Sequence, residues 1–288
     1  MNRKKTGKGS KVAAKRVSLG PLTFDCRVSG EPGGQCVVLL HGFPETSIMW
    51  AGLMEHLSGQ GYFCIAPDMR GYSKDACPRG KKHYALKFLV QDILDIAGHF
   101  GQERFHLIGH DWGAAVGWHL VAENPARILT WTALSVPHPS AFGRAYKTDP
   151  EQHRKSRYIR WFMLPWWPEA YLSRNDMALL RKLWKNSGPE ELENYLSVFR
   201  RRPCLTGALN YYRANLGGRR RTPTGPVRNP TLFIWGRRDP AIGEAAALGN
   251  PKYMEGPYAF LPLDGGHWLI QSNYREVASA VSDHLASH

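Results

Sequence analysis

The sequence predicts an α/β protein, with a mostly parallel sheet flanked by helices and interrupted by a helical insertion. Short apolar runs alternate with helix-length amphipathic segments over residues 36–136, the pattern of βαβ units whose sheet is covered on both faces. The alternation stops over residues 139–228, where segments of helical spacing follow one another without a strand, and it resumes after residue 229. A chain of 288 residues is long enough for one large core, or for a core plus a smaller insertion.

Two β-like runs, 16–19 and 22–28, open the fold. Residues 1–16 before them form a basic tail that is expected to be disordered. It carries Arg3, Lys4, Lys5, Lys8, Lys11, Lys15 and Arg16, and no apolar stretch follows that would make a secretion signal. Val37-Val38-Leu39-Leu40 is a continuous apolar run, which suits a strand buried on both faces. A helical pattern near 48–57 and a short strand at 62–66 come next. In 84–100, Leu86, Leu89, Val90, Ile93 and Ile96 recur at helical spacing and mark one buried stripe. Residues 105–108 read as a strand, 114–122 as a helix and 128–136 as a strand.

Within the insertion the spacing predicts helices near 152–164, 176–185, 189–200 and 205–216, with Asp176, Ser187 and Thr206 as caps near their starts. Strands at 231–235 and 258–262 and a helix over 268–285 close the chain. The organisation is therefore a core of residues 17–138 and 229–288 and a helical cap of residues 139–228. The cap is expected over the C-terminal ends of the strands, where α/β folds place ligands.

Composition narrows the function classes. The five cysteines, Cys26, Cys36, Cys64, Cys77 and Cys204, are odd in number and include no CxxC pair. They read as buried free thiols in a reducing, cytoplasmic setting. No Cys/His cluster is dense enough for zinc, and no metal or organic cofactor is expected. The net charge of +14 would suit a nucleic-acid binder, but the excess is scattered and no finger, repeat or RNA-binding signature accompanies it. It reads as solvated surface charge, without a nucleic-acid partner. No run of about 18 apolar residues suggests a membrane span. Assembly state stays open, a homodimer included.

The chemistry concentrates in Phe105-His106-Leu107-Ile108-Gly109-His110-Asp111-Trp112-Gly113. A strand runs straight into a helix through a turn with glycine on both sides of one residue, the layout of a nucleophile elbow. The central position usually holds serine and here holds Asp111. A carboxylate is a poor acyl nucleophile, because the anhydride collapses backwards. It can displace a leaving group at saturated carbon, leaving an alkyl ester on the enzyme that water must then hydrolyse. Epoxides and alkyl halides are the substrates that fit. The plainer alternative is that Asp111 only caps the following helix.

His41-Gly42-Phe43-Pro44-Glu45 follows the 37–40 run. A turn there can aim the Phe43 N–H at the site, beside the N–H of Trp112, as two oxyanion donors. Two later strand ends supply the relay: Asp239 after 231–235, and His267 in Leu263-Asp264-Gly265-Gly266-His267. His267 is the expected general base and Asp239 the group that orients it, with Asp264 as the rival acid.

These residues resemble the α/β-hydrolase superfamily across nearly the whole chain after the tail. Within it, His41 to Glu45, the Gly109 to Gly113 elbow, Asp68-Met69-Arg70-Gly71-Tyr72 and Val136-Pro137-His138-Pro139 look like the epoxide hydrolases. The resemblance implies two cap tyrosines that hold the epoxide oxygen and protonate it as the ring opens, and it points to Tyr158 and Tyr212. Tyr211 is the neighbour most easily mistaken for the second of these, and with Trp161 and Phe162 it is a candidate substrate-pocket residue. Trp161, Phe162, Trp166 and Trp167 either line an apolar pocket or pack the core. The implied substrate is a small apolar epoxide. A haloalkane or haloacid dehalogenase is the nearest alternative, since it shares the Asp nucleophile; an inactive ligand-binding hydrolase fold is more distant.

Overall fold

The computed structural model describes residues 11–217 and 223–288. Its strands are β1 (Ala13–Leu19), β2 (Leu22–Ser29), β3 (Cys36–Leu40), β4 (Phe63–Pro67), β5 (Phe105–His110), β6 (Ile128–Leu134), β7 (Thr231–Gly236) and β8 (Tyr258–Leu263). They form one eight-stranded sheet in the order β1-β2-β4-β3-β5-β6-β7-β8. The β1–β2 and β2–β4 pairs are antiparallel, and every pair from β4 onward is parallel.

Helices α1 (Ala51–Ser58), α2 (Leu86–His99) and α3 (Trp112–Glu123) connect the first strands. Between β6 and β7, which are neighbours in the sheet, the chain runs through α4 (Pro139–Thr148), α5 (Pro150–Lys155), α6 (Arg157–Phe162), α7 (Trp167–Leu172), α8 (Ala178–Leu183), α9 (Pro189–Phe199) and α10 (Arg202–Asn215). The short α11 (Glu244–Ala247), α12 (Leu269–Ser272) and the longer α13 (Tyr274–Ala286) complete the fold. No helix among the described residues is long and apolar enough to cross a membrane.

Alternation along the strands divides the core between the two faces. Val37 and Leu39 point to one face and pack with Leu53, Met54 and Leu57 of α1 and Val277, Val281 and Leu285 of α13. Val38 and Leu40 point to the other, with Leu89, Ile93 and Ile96 of α2 and Val116 and Leu120 of α3. All five residues of β3 are buried, which explains its unbroken apolar run. Each such side chain contributes about 1.5–3 kcal/mol on leaving water.

Several local expectations are corrected. Residues 13–16, expected in a disordered tail, are paired in β1, where Ala13 lies opposite Val28. This edge strand keeps Lys15 and Arg16 in solvent, so hydrophobicity does not reveal it. Residues 1–10 of the expected tail lie outside the described residues. The helix expected over 152–164 is two helices broken at Ser156, and Asp149 caps the first through bonds from the N–H groups of Glu151 and Gln152. The proposed caps also fail. The N-cap positions of α8, α9 and α10 are Met177, Gly188 and Arg201. The Asp176 carboxylate instead pairs with Arg200 and Arg181. Thr206 lies inside α10, and Ser187 stands one residue before the α9 cap. The closing helix is interrupted at Asn273.

Candidate active site

The parallel strands bring the chemically active segments to one end of the sheet. Strand β5 enters α3 through Asp111, whose backbone sits at φ 50° and ψ −117°. That conformation costs a residue other than glycine about 1–3 kcal/mol and must be held by its surroundings. Close backbone packing holds it. A Cβ on Gly109 would lie 2.6 Å from the Gly113 carbonyl oxygen, and one on Gly113 would overlap the Leu40 carbonyl. The Asp111 side chain makes no capping bond to α3. Its Oδ1 accepts the Phe43 N–H at 2.7 Å, and its Oδ2 lies 3.5 Å from His267 Nε2.

The turn presenting Phe43 is braced by the segment the sequence singled out at residues 68–72. His41 Nε2 lies 3.0 Å from the Met69 N–H, which donates to it, and His41 Nδ1 lies 3.1 Å from the Gly42 carbonyl. Burial holds the His41 pKa below the ordinary histidine range, which leaves the ring neutral and suited to accepting from Met69. Asp68 accepts the Ser47 N–H at 2.8 Å. Arg70 forks onto buried Asp92. On the other side of Asp111, Trp112 opens α3, and the first N–H groups of a helix have no intrahelical acceptor.

His267 Nδ1 lies 2.7 Å from Asp239 Oδ2. The second oxygen of Asp239 accepts the N–H groups of Ala241 and Ile242 at 2.7 and 3.0 Å, so this fully buried carboxylate is fixed from both sides. Asp264 is exposed and pairs with Arg238. Several residues of the site carried no readable signal in the sequence. His110 Nε2 and the Ser135 hydroxyl both reach the His267 carbonyl oxygen, at 3.0 and 2.6 Å. Glu45 lies 3.4 Å from His110 Nδ1 and accepts from Gln271 at 2.6 Å. Lys155 donates to the Asp239 carbonyl at 2.7 Å. His110 and Glu45 at least belong to motifs beside the elbow and the oxyanion turn; Ser135 and Lys155 have no local pattern at all.

The electrostatics follow from this packing. Burial alone would raise the Asp111 pKa, but His267, His110 and the Phe43 N–H outweigh it and hold the carboxyl below its usual range. Burial opposes charge on His267 as well, yet Asp239 and Asp111 on either side raise it to about 10. The Tyr158 and Tyr212 phenols are pushed up by burial, and then by the Asp111 charge. They are held as proton donors at neutral pH.

Tyr158 of α6 and Tyr212 of α10 face each other, ring centroids 6.2 Å apart. Phe162 packs on Tyr158, Tyr212 and Phe43 at 5.4, 5.0 and 5.4 Å, and so lines the same space. Trp112 meets Tyr212 edge-on, ring centroids 5.0 Å apart. The Tyr211 hydroxyl turns away, donating to the Arg70 carbonyl at 2.7 Å, so Tyr211 is a packing residue between the insertion and the core rather than a pocket group. Consecutive helical residues point about 100° apart, and only one of the pair can face Asp111. Trp161 is set back one layer, against Phe162 and Tyr171. Trp166 and Trp167 are 62% and 57% exposed and do not pack the core; Trp166 lines an outer cleft with Met163, Pro165 and Arg213.

Arg213, next to Tyr212, joins the pieces of the insertion. It forks onto buried Glu169 at 2.7 and 2.9 Å and donates to the carbonyls of Phe162 and Leu164 at 3.2 and 2.6 Å. The helix carrying Tyr212 is thereby tied to the end of the helix carrying Tyr158.

Residues 35–273 match the model of the alpha/beta hydrolase fold family. The AB hydrolase superfamily protein YfhM of Bacillus subtilis is 32% identical over 280 residues, covering 95% of this chain and 98% of the relative. Epoxide hydrolase 4 of Homo sapiens is 31% identical over 268 residues, covering 89% of this chain and 74% of its own length. A solved structure described among novel epoxide hydrolases from metagenomes of hot environments superposes with a TM-score of 0.85 at 29% identity, covering 96% of this chain and 99% of that one.

Proposed function

We propose, from the premise that this chain belongs to the alpha/beta hydrolase fold family, that it is an epoxide hydrolase converting a small apolar oxirane to a vicinal diol. The observation that carries this reading is a carboxylate at the elbow with two facing phenols, Tyr158 and Tyr212, of which Tyr212 packs against Phe43 and Trp112 beside that carboxylate. Residues 139–228 act as the cap that supplies the phenols.

In the first step Asp111 Oδ2 attacks a ring carbon and the C–O bond breaks. An alkoxide is a poor leaving group, and proton donation from Tyr158 and Tyr212 assists its departure. The Phe43 N–H, already 2.7 Å from Oδ1, stays on the oxygen that becomes the ester carbonyl. The same donor, with the Trp112 N–H, then stabilises the oxyanion when water attacks that carbonyl; losing one such donor typically costs about 3 kcal/mol of barrier.

Ester formation also changes His267. While Asp111 is anionic, two carboxylates favour a proton on the ring. The ester removes one of those charges, and the histidine pKa falls. The Nε2 proton passes through solvent to the phenolate left by ring opening, and His267 becomes available as the base for water. Asp239 holds its Nδ1 proton and orientation. No step calls on a metal or organic cofactor.

A dehalogenase would share the nucleophile and histidine but would need N–H donors for halide. The Trp112 ring instead packs edge-on against Tyr212, and the groups that the cap brings to the site are hydroxyls. The deciding assay is diol formation from a panel of aryl and alkyl epoxides, with haloalkanes in parallel and Asp111→Ala as control. Diol from the wild type alone supports the proposal. Halide release without diol would replace it with the dehalogenase reading.

A further inference from the structure

Two of the five cysteines stand apart from the rest. Cys26, Cys36 and Cys64 are buried in strands, where burial pushes their thiols up and keeps them inert. Cys77 is half-buried and Cys204 is buried behind it, with their sulfur atoms 3.1 Å apart. That is about 1 Å beyond a disulfide bond.

The pair spans the boundary between cap and core. Cys77 lies in the core segment before α2, and Cys204 in the first turn of α10. The backbone around them is already docked. A Cβ on Gly207 would lie 2.7 Å from Gly71 Cα, so α10 rests directly on the core chain there. Farther along α10, Tyr211 bonds Arg70, and the Asn215 side chain bonds the Tyr84 carbonyl and the Leu86 N–H. The two sulfurs are therefore brought together by a framework that does not depend on a bond between them. The Cys77 S–H and the Arg201 guanidinium both favour a thiolate on Cys204, against its burial.

We propose that Cys77 and Cys204 are a thiol-disulfide modification site, which a peroxide converts into a covalent staple between cap and core. Peroxide reaches the half-buried Cys77. Its sulfur attacks one peroxide oxygen, the O–O bond breaks, the departing hydroxide takes the thiol proton as water, and Cys77 becomes a sulfenic acid. Cys204 sulfur then attacks the Cys77 sulfur, the S–O bond breaks, and the departing hydroxide takes the Cys204 proton as water. Peroxide is reduced, two thiols are oxidised, and a thiol reductant reverses the change. The staple would anchor α10 about two turns from Tyr212, leaving the reacting groups untouched.

The test treats the full chain with hydrogen peroxide near stoichiometry and maps its peptides by mass spectrometry without reduction. The expected product is a Cys77–Cys204 cross-linked peptide. Closing so long a loop is expected to raise the melting temperature by about 5 °C or more, reversibly with dithiothreitol. Cys77→Ser and Cys204→Ser should each lose both signals; Cys77→Ser is the safer variant, because its side chain is half-buried. Sulfinic or sulfonic acid on either residue without the cross-link, or the same melting shift retained in Cys77→Ser, would overturn the proposal.

Discussion

The end of the sheet and the helical cap hold their functional groups in different ways. Asp111, Asp239 and His267 are fixed by main chain: a strained elbow, two N–H groups on Asp239, and two donors on the His267 carbonyl. Tyr158 and Tyr212 sit on separate helices joined by ring packing and the Arg213–Glu169 pair. The sheet thus holds its reacting atoms chiefly through its own strand ends, with Lys155 of the cap adding a bond to the Asp239 carbonyl. The cap's phenols depend on a few side chains, so changes at a distance should reach them first.

The largest effect is expected at the sheet. Asp111→Asn should lower diol formation by about 10⁴-fold or more, because no other residue can form the ester. Steady-state assay checks this, with Asp264→Asn staying within about threefold of wild type, since that carboxylate is exposed and pairs with Arg238 at the surface. His267→Gln separates the two steps. Mass spectrometry of the variant after epoxide should show the alkylated Asp111 peptide, with turnover nearly absent.

In the cap, Tyr212→Phe should slow ester formation by about 10²–10⁴-fold, the range of general acid catalysis, without stopping ester hydrolysis. Pre-steady-state kinetics would separate these rates. Arg213→Ala strands Glu169 in a buried site and should cost about 3–5 kcal/mol of stability by denaturant unfolding, in addition to weakening ester formation. Asn in place of Asp111 should leave cap stability unchanged. If instead the Arg213 variant kept wild-type ester formation, the dependence of the phenols on this clasp would be wrong.

The last effect, spread over several pH units, concerns His267. The folded protein raises the His267 pKa from 6.5 to about 10. The folded state therefore holds this proton more tightly than the unfolded chain. The associated stability is fully present below about pH 6.5 and is lost as pH rises through about 10. Urea midpoints should fall between pH 7 and pH 10 in the wild type and fall less in His267→Gln.

Legibility in the sequence follows the same division. The β3 run, the elbow and the strand-end acid and histidine could be read because each is a local pattern tied to a parallel strand. The sheet then brings them together. The cap resisted reading. Its helices are short, α5 and α6 each spanning six residues, and after Asp149 at the start of α5 the helices α6, α7, α8 and α10 begin without a side-chain cap that spacing could reveal. Asp176 fits a cap by type but serves Arg200. Tyr211 and Tyr212 differ only in direction, which depends on where α10 meets Arg70. Ser135 and Lys155 act through main-chain carbonyls and leave no mark in residue spacing.

The measurement closest to the central claim is a single turnover in ¹⁸O-labelled water with enzyme in excess over epoxide. If Asp111 forms the ester and water attacks its carbonyl, the first diol carries unlabelled oxygen from the carboxylate, and the Asp111 peptide gains the label. Labelled diol with an unlabelled Asp111 peptide would mean that water opens the ring directly, and it would contradict the account.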